Sequence, residues 1–434
     1  MNGCPPPNVD TLAPPLKKRP TLLQIMGPGL ITGASDDDPS GIATYSQVGA
    51  QFGYGLVWTL LFSYPLMAAI QEIGARIGRI TGFGIAGNLR RHYPGWLSWG
   101  IVGLLLVANV INLGADLGAM GAALELLIGG PVLLYVCLFG LFSAVLEIFT
   151  AYARTVSILK WLCLSLFSYV ICAFVVDVPW AEVGWAMVWP PLSATPAYVM
   201  AIVAVLGTTI SPYLFFWQAE QEVEDGKERP GARPLIRAAG QAGTEFARIR
   251  LDTYLGMALS NLVAFFIVVT TATTLHAHGV TNIQTSSEAA EALRAIAGRF
   301  TFIVFAAGII GTGLLTLPVL SGSAAYAVGE LFSWHVGLAR RPYRAKAFYA
   351  VIAAATMIGA GLNFTSIDPV KALYWSAVLN GVVAVPVMAA MMHLSMRRSV
   401  MAGFTLPLPL RILGWAGTIV MGLTVMAMLL TWIT

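Results

Sequence analysis

The stretch Gly33-Ala-Ser-Asp-Asp-Asp-Pro-Ser-Gly41 interrupts an apolar run that extends from about Ile25 to Val57. Three carboxylates, a proline and two glycines are out of place in the middle of a membrane-spanning helix. Each ionised aspartate at mid-bilayer depth costs roughly 2.5–3.5 kcal/mol, and proline removes a backbone donor and clashes with the preceding turn. We therefore expect the helix to break here, with its carboxylates facing a cation at the unwound centre.

The composition is that of a membrane protein. Of the 434 residues, 57% are hydrophobic and 11% are charged, with a mean hydropathy of +0.75, whereas soluble domains carry about 25% charged residues. This predicts an all-α polytopic membrane protein. A spanning helix needs about 20 apolar residues, which gives eleven predicted spans, at roughly 24–50, 54–76, 97–127, 131–150, 155–176, 197–219, 252–275, 300–335, 347–363, 371–394 and 410–432.

The basic residues predict the orientation of these spans. If the N-terminus is cytosolic, all of the 25 lysines and arginines except Arg294, Arg299 and Lys371 fall on the inner side, as the positive-inside rule requires. We expect a multi-pass protein of the plasma membrane with a cytosolic N-terminus and an external C-terminus. Because topology accounts for the net charge of +4, the charge does not indicate a nucleic-acid partner, and we expect none. We also expect the protein to lie in a lipid bilayer as a monomer.

A second interrupted span suggests an internal repeat. The sixth span carries Gly207-Thr-Thr-Ile-Ser-Pro-Tyr213, and spans one and six each begin a set of five, so the second set must be inverted. Paired interrupted spans mark the substrate site of many transporters. The predicted segments are a disordered cytosolic tail (1–20), a first repeat (21–176), an outer loop (177–196), a second repeat (197–394) with a mobile inner loop (220–250) and an outer loop (276–299), and a linker with an eleventh helix (395–434). Within them we expect a short amphipathic inner segment at 82–93 and an outer surface helix at 284–297.

The residues around the first break resemble a known family. The runs Gly27-Pro-Gly29, Asp38-Pro-Ser-Gly-Ile-Ala-Thr44 and Gly49-Ala-Gln-Phe-Gly-Tyr54 look like the first helix of NRAMP divalent-metal transporters. The motif in the sixth span lies where that family has Met-Pro-His. The resemblance covers about residues 21–394. It implies a LeuT-type fold with an inverted 5+5 helix repeat plus an eleventh helix, discontinuous helices 1 and 6, and alternating access.

The departures from the family pattern concern the metal site. The family's Asp-Pro-Gly-Asn is here Asp38-Pro-Ser-Gly41, its ligating Met is Ser211, and its His is Tyr213. Thr208 matches the residue that offers a backbone carbonyl. The resemblance therefore implies a metal site of Asp38, Gly41, Thr208 and Ser211, similar to that of the NRAMP-related magnesium transporter branch.

The chemistry of this ligand set favours a hard cation. Oxygen-only sites suit Mg²⁺, Ca²⁺ and Mn²⁺, and Mg²⁺ usually keeps several waters while touching one or two carboxylates. A roomy site with few direct ligands therefore suits a largely hydrated ion. We predict import of Mg²⁺, with Mn²⁺ also accepted, by a protein that is no enzyme and needs no cofactor.

The third span bears on proton coupling. Asn109, Asn112 and Asp116 share one helical face by their i, i+3, i+7 spacing. Asp116 matches an acidic residue of the family, but the acidic positions that flank it in the family are Asn109 and Ala119 here. We therefore expect transport without strict proton coupling. Alternatively, the two asparagines serve only interhelical hydrogen bonding.

Several other polar residues are candidates for the pathway. Asp36 and Asp37 would attract the cation or line a watery vestibule, and on a helix Asp37 would point about 100° away from Asp38. Asp252, taken as the start of helix seven, is expected to be a partner of a helix N-terminus. The remaining candidates are Tyr213 and Gln218 along the inner path and Asn380, which makes either a gate contact or a packing contact.

Four other functions are weighed against this prediction. A proton-coupled Mn²⁺/Fe²⁺ transporter is the nearest rival, and a sodium-coupled carrier of organic solutes has the same fold, although the clustered aspartates argue against an anionic substrate. An intramembrane hydrolase would need a buried base, yet His92, His335 and His393 lie near span ends. A metal sensor without transport would be expected to carry a further soluble domain.

Overall fold

The structure is a computed structural model that describes residues 27–150, 157–159, 161–193, 195–283, 286–365 and 369–433. Within these residues all regular secondary structure is helical, and eight of the helices are long and apolar enough to cross a membrane. The tail predicted at 1–20 lies outside the described residues, as do the first two positions of the surface helix predicted at 284–297.

Helices occupy each of the eleven predicted span regions. In chain order they are α1 (Pro28–Ala34), α2 (Pro39–Phe52), α3 (Val57–Thr81), α4 (Ile85–His92), α5 (Gly95–Ile128), α6 (Val132–Phe149), α7 (Phe167–Val175), α8 (Trp180–Val188), α9 (Pro196–Thr209), α10 (Pro212–Glu228), α11 (Ala242–Thr274), α12 (Ser286–Leu331), α13 (Lys346–Leu362), α14 (Pro369–Met396), α15 (Arg398–Met401) and α16 (Leu408–Ile433). The fifth span runs from Ser157 to Val175 and includes α7.

Both predicted helix breaks are present. The first span divides into α1 and α2 on either side of residues 35–38, and the sixth divides into α9 and α10 at residues 210–211. Each of the four half-helices begins with a proline, at positions 28, 39, 196 and 212. Proline suits the first helical position because its φ is already helical. The N–H that proline lacks would have no partner within the helix at this position. The prolines thus restart the helices as well as ending them.

The half-helices pack on their neighbours almost backbone to backbone. A Cβ placed on Gly33 would lie 2.2 Å from the carbonyl oxygen of Gly256 in α11, and one on Gly207 of α9 would lie 2.1 Å from that of Ala377 in α14. Small residues allow such close approach between helices in membranes. α1 therefore lies directly against α11, and α9 directly against α14.

Two predicted loops contain more helix than expected. In the inner loop 220–250, α10 continues to Glu228 and α11 already begins at Ala242. The helix ends there are stabilised by charge pairs, such as Arg229 with Asp225 at 2.5 Å and with Glu245 at 3.1 Å. The outer loop 177–196 contains α8. The prediction missed these helices because it selected for apolar length, whereas ion pairs and short amphipathic segments also form helices.

The two short surface helices are present. Helix α4 lies within the predicted segment 82–93, with Ile85 and Leu89 buried and Arg90 and Arg91 exposed, which confirms its amphipathic character. Helix α12 begins at Ser286, and the chain departs from helical geometry at Gly298, where φ is 87°. The outer surface helix and the eighth span are thus joined at this glycine.

Candidate cation site at the two helix breaks

Asp38 is the N-cap of α2. Its backbone is extended, with φ −69° and ψ 166°. Its Oδ1 accepts hydrogen bonds from the Gly41 amide at 2.5 Å and from Ser40 Oγ at 2.9 Å. An N-cap carboxylate satisfies otherwise unpaired amides and lies at the positive end of the helix dipole. Because both of these donors bind Oδ1, Oδ2 is the oxygen better placed to bind a cation.

Gly41 and Thr208 adjoin this carboxylate. A Cβ on residue 41 would lie 2.8 Å from Thr208 Oγ1 and 3.1 Å from Asp38 Oδ1. The two broken helices therefore bring three of the four predicted ligand positions together. Because residue 41 has no side chain, the carboxylate and the threonine hydroxyl can both lie close to its Cα.

Ser211 lies at the second break, where it precedes α10. Its hydroxyl turns back toward α9 and donates to the carbonyl oxygens of Thr208 at 2.8 Å and Gly207 at 3.0 Å. A hydroxyl that donates one hydrogen bond still has lone pairs to offer. Ser211 can therefore present oxygen to a cation while it holds the end of α9 in place.

Tyr213 and Gln218 close the predicted inner path. The Tyr213 hydroxyl donates to the carbonyl oxygen of Ser35 at 2.9 Å, joining α10 to the end of α1. Gln218 Nε2 donates to Thr253 Oγ1 of α11 at 2.7 Å. Both side chains are fully buried. In this conformation the two breaks are bonded to each other and the path beneath them is occupied by side chains.

The polar residues of α5 separate into two groups. Asp116 Oδ1 accepts the Ser40 amide at 3.2 Å, and because Ser40 Oγ donates to Asp38, Ser40 bridges the two carboxylates. Asn109 instead donates to Ser323 Oγ of α12 at 2.7 Å, which is a packing contact between helices. Asn112 is buried without a hydrogen-bond partner among the described residues. Asp116 thus adjoins the site, whereas Asn109 does not.

Within the described residues, no hydrogen bond joins the Oδ1 of Asn380 in α14 to the site. Asn380 is 2% exposed, and its Oδ1 has no hydrogen-bond partner in the described part of the chain. Helix α14 does contact α9 nearby, because a Cβ on Gly207 would lie 2.7 Å from the amide nitrogen of Gly381. The choice between a gate contact and a packing contact for Asn380 stays a prediction.

Asp36 and Asp37 differ from the expected geometry. They lie in the turn between α1 and α2 and not on a helix, so the helical angle between Asp37 and Asp38 does not apply. Asp36 Oδ2 accepts the Ser260 hydroxyl at 2.7 Å. Within the described residues, no hydrogen bond of normal geometry reaches either oxygen of Asp37. Because the helix is broken at these residues, the directions of the two carboxylates are not fixed by helical geometry.

The donor set around Asp38 is sparse. Among the described residues, no group of three or more His, Cys, Asp or Glu side chains is arranged to hold a metal ion. Asp38 is the capping carboxylate of the site, with neutral hydroxyl and carbonyl oxygens around it and Asp116 linked to it through Ser40. Such an arrangement offers few direct protein ligands.

Two residues that contact the aspartates were missed by the sequence analysis. Ser40 bridges Asp38 and Asp116, and Ser260 donates to Asp36. The signal for Ser260 was present, because it is followed by Asn261 in an otherwise apolar run of the seventh span. Polar residues within a span usually face the interior of the bundle.

Asp252 was expected to accompany a helix N-terminus, and it does so for a different helix. It lies inside α11, which begins ten residues earlier at Ala242. Its carboxylate accepts the amides of Gly27 at 2.8 Å, Gly29 at 2.7 Å and Leu30 at 3.2 Å. Asp252 therefore caps α1, the first half of the broken helix.

Comparison with known protein families shows to which family this chain belongs. Residues 29–431 match the family model Nramp, described as natural resistance-associated macrophage protein-like. The chain belongs to the Nramp family. The divalent metal cation transporter MntH of Yersinia pestis (strain Pestoides F) is 28% identical to this Nramp protein over 322 residues, which cover 72% of this chain and 73% of that one. MntH of Yersinia enterocolitica is 27% identical over 324 residues, with the same coverage.

Solved structures confirm the fold of this Nramp protein. The manganese transporter of Eremococcus coleocola superposes with a TM-score of 0.69 at 18% identity, covering 93% of this chain and 85% of that one. Mhp1, a nucleobase-cation-symport-1 family transporter in a closed conformation, gives 0.61 at 14% identity, covering 93% and 91%. The predicted family and the LeuT-type fold with discontinuous first and sixth helices are therefore confirmed.

Proposed function

We propose that this Nramp protein imports divalent cations across the plasma membrane by alternating access, with Mg²⁺ as its main substrate and Mn²⁺ also accepted. The observation that carries the proposal is the Asp38 site. One carboxylate there is accompanied by the neutral oxygens of Thr208 and Ser211, and residue 41 contributes no side chain. Mg²⁺ gives up its water reluctantly and binds through few carboxylates, so this sparse donor set suits a largely hydrated ion.

The class of substrate is supported by the relatives. MntH of Yersinia pestis is named a divalent metal cation transporter, and the Eremococcus coleocola protein is named a manganese transporter. We propose the same class of substrate, divalent metal cations, for the present chain, which would transport them without catalysing a reaction. Magnesium is inferred from the ligands themselves, because Ser211 and Tyr213 supply oxygen where a thioether or imidazole would favour softer metals.

An outer cavity supports entry from the external side. It has a volume of about 620 Å³ and includes Asp177, Glu182 and His276 in its lining. Two carboxylates at the mouth of a path raise the local concentration of cations. Asp38 itself is only 1% exposed, so the ion leaves it toward the inner side when α1 and α10 move.

A second candidate function is proton-coupled transport of Mn²⁺ or Fe²⁺. The observation that favours it is the link from Asp38 through Ser40 to Asp116, which places a second titratable carboxyl beside the site. We prefer uncoupled transport because the rest of an acidic relay is replaced by Asn109 and Ala119. In proteoliposomes with an internal pH dye, acidification driven by metal entry would support the coupled candidate, and an unchanged pH supports ours.

The proposal is tested by flux through Asp38→Ala. We expect the wild type to carry both Mg²⁺ and Mn²⁺ into proteoliposomes and the variant to lose at least about 90% of both fluxes, because the only carboxylate at the N-cap of α2 is gone and a charged hydrogen-bonding group contributes roughly 1.5–3 kcal/mol. The measurement is fluorescent-dye uptake at matched protein content.

Asp225→Ala is the matched control. Asp225 is partly exposed, and the ion pair that it forms within the described residues is with Arg229, at the predicted inner surface. We expect this variant to retain wild-type flux, since exposed pairs contribute at most about 1 kcal/mol. Undiminished uptake by Asp38→Ala would remove the assignment, and Fe²⁺ uptake with exclusion of Mg²⁺ would remove magnesium as the substrate.

A further inference from the structure

A cavity of about 270 Å³ lies between α4, α10 and the segment that follows α12. Four basic residues line it, namely Arg90 and Arg91 in the last turn of α4, Lys227 in the last turn of α10, and Arg340. None of the ion pairs formed within the described residues includes any of these four. The arginines around Glu245 differ, because they are paired with it. The cavity therefore presents positive charge that is not used in an ion pair among the described residues.

Two glutamates also line this cavity, and both lie near the start of α4. Glu330 accepts hydrogen bonds from the amides of Gly84 at 2.8 Å and Gly87 at 2.6 Å. Glu220 lies beside the same helix start, since a Cβ on Gly84 would contact both carboxylates. The arginines of α4 are at its other end. Because the cavity has four basic and two acidic residues in its lining, its charge favours an anion whether or not the glutamates are ionised.

Exposed aromatic side chains continue from this cavity onto the outer surface of the bundle. Trp334 lines the cavity and stacks on Phe332 with 4.7 Å between ring centroids, and Phe332 meets Trp99 of α5 edge-on at 4.8 Å. Trp96, nearly one turn earlier on α5, is 75% exposed. Tryptophan is enriched where the hydrocarbon core of a membrane meets the headgroups. Since these rings flank the start of one span and the end of another, the cavity lies at the headgroup level of the predicted inner side.

The face of α5 that follows these rings is exposed and shallow. Leu104 and Val107 are 47% and 55% exposed, and a Cβ on Gly100 or Gly103 would meet nothing within 4 Å. These four residues share one side of the helix with the two tryptophans by their spacing of three and four positions. An acyl chain can therefore lie along α5, directly beside the cavity.

A phosphate group that carries acyl chains matches both parts of this surface. Arginine binds phosphate oxygens through two parallel N–H groups, and basic pockets between spanning helices on the cytoplasmic side bind anionic headgroups. The cavity, at about 270 Å³, is slightly below the roughly 300–1,000 Å³ typical of pockets for drug-sized ligands. This size suits a small headgroup better than a nucleotide.

We propose that the cavity binds the phosphate headgroup of an anionic phospholipid of the inner leaflet, with an acyl chain of this lipid along α5. Basic residues from α4, α10 and the segment after α12 hold the phosphate. Because Lys227 belongs to α10, the bound lipid links this half-helix to α4. The site goes beyond the proposed function, and lipid binding there does not depend on which cation is carried.

The test compares two lipids with the same acyl chains on the full-length protein in detergent. Native mass spectrometry gives the dissociation constants of dioleoyl phosphatidylglycerol and dioleoyl phosphatidylcholine. We expect the wild type to bind one phosphatidylglycerol at least about tenfold more tightly than phosphatidylcholine, because each basic residue near the membrane surface adds to the attraction for anionic lipid. The double variant Arg91→Ala/Lys227→Ala is expected to reduce this preference to about twofold or less.

Arg344→Ala/Arg398→Ala is the matched control. Both residues are exposed on the predicted inner side and neither lines the cavity, so this variant loses the same charge and is expected to keep the preference. Two single variants keep the inference testable if the first double variant does not fold. Arg90→Gln and Arg91→Gln retain most of the side-chain volume, and each is expected to weaken phosphatidylglycerol binding about threefold or more.

A soluble competitor separates the lipid from free phosphate. Glycerol 3-phosphate at the same concentration as the lipid is expected to leave phosphatidylglycerol bound, because it lacks the acyl chains. Displacement by it would assign the cavity to soluble phosphate esters and overturn the lipid. Equal affinities of the wild type for the two lipids, or an equal loss in the two double variants, would overturn the site. Cation flux through Asp38 is measured separately, so each of these results would leave the proposed function intact.

Discussion

At the scale of single residues, Gly41 determines how closely Asp38 and Thr208 can approach each other. The position lies on the first turn of α2, where any helical residue could stand, so its backbone does not require glycine. The requirement comes from Thr208 Oγ1 and Asp38 Oδ1, which a Cβ would approach to 2.8 and 3.1 Å. A methyl group here would press on the Asp38 carboxylate and push the threonine aside.

We predict that Gly41→Ala lowers Mg²⁺ flux about tenfold and Mn²⁺ flux less. The physical reason is that Mg²⁺ holds its waters more tightly, so it suffers more when the space for them shrinks. Parallel uptake of the two ions into proteoliposomes gives the ratio directly. Gly243→Ala is the matched control, because a Cβ at residue 243 meets nothing within 4 Å. An equal loss for both ions would argue against a hydrated substrate.

At the scale of helices, α1 is held to α11 by Asp252. The three amides that it binds are the first donors of α1, which have no partner within the helix. One turn earlier on α11, Arg248 pairs with Glu222 of α10 and with Glu245, and Arg79 of α3 also reaches Glu245 at 3.1 Å. Together with Asp252, this cluster connects α1 and α10 with α3 and α11.

Asp252→Asn is predicted to open the inner side more often. The neutral amide keeps the shape but loses the charge-assisted hydrogen bonds, each of which contributes roughly 1.5–3 kcal/mol, and a net loss of about 1.4 kcal/mol is tenfold in population. A cysteine at Ile31, which is 3% exposed in α1, should then react about tenfold faster with a polar maleimide. The same cysteine in an Asp225→Asn background serves as the control, and equal rates in the two would show that Asp252 does not hold the helix.

At the scale of the whole molecule, eleven spans would place the two termini on opposite sides of the membrane. Helices occupy the eleven predicted span regions, and the basic residues predict the inner side. In intact cells we expect an epitope tag after Thr434 to bind antibody without permeabilisation and a tag before Met1 to require it. Tags that become accessible together would mean that one helix does not cross the membrane.

Much of this architecture was readable in the sequence. Long apolar stretches predict spans because backbone groups in lipid must form their hydrogen bonds within a helix. Pro39 and Pro212 predicted the two helix breaks. The position of Asp38 could be predicted because an N-cap is a local feature. The bridge through Ser40 and the cap from Asp252 could not, since each depends on which helices become neighbours. Residues 38 and 116, or 27 and 252, meet only in the folded bundle.

The glycine contacts between α1 and α11 have a kinetic consequence. Gly29 and Gly33 face the backbone of α11 at Thr253 and Gly256, so no side chains lie between the two helices at these positions. Parting the helices there requires no rotamer change at either glycine, and the hydrogen bonds from Gly27, Gly29 and Leu30 to Asp252 must break. We therefore expect the rate at which α1 separates from α11 to depend on how fast these polar contacts break, and less on the repacking of side chains.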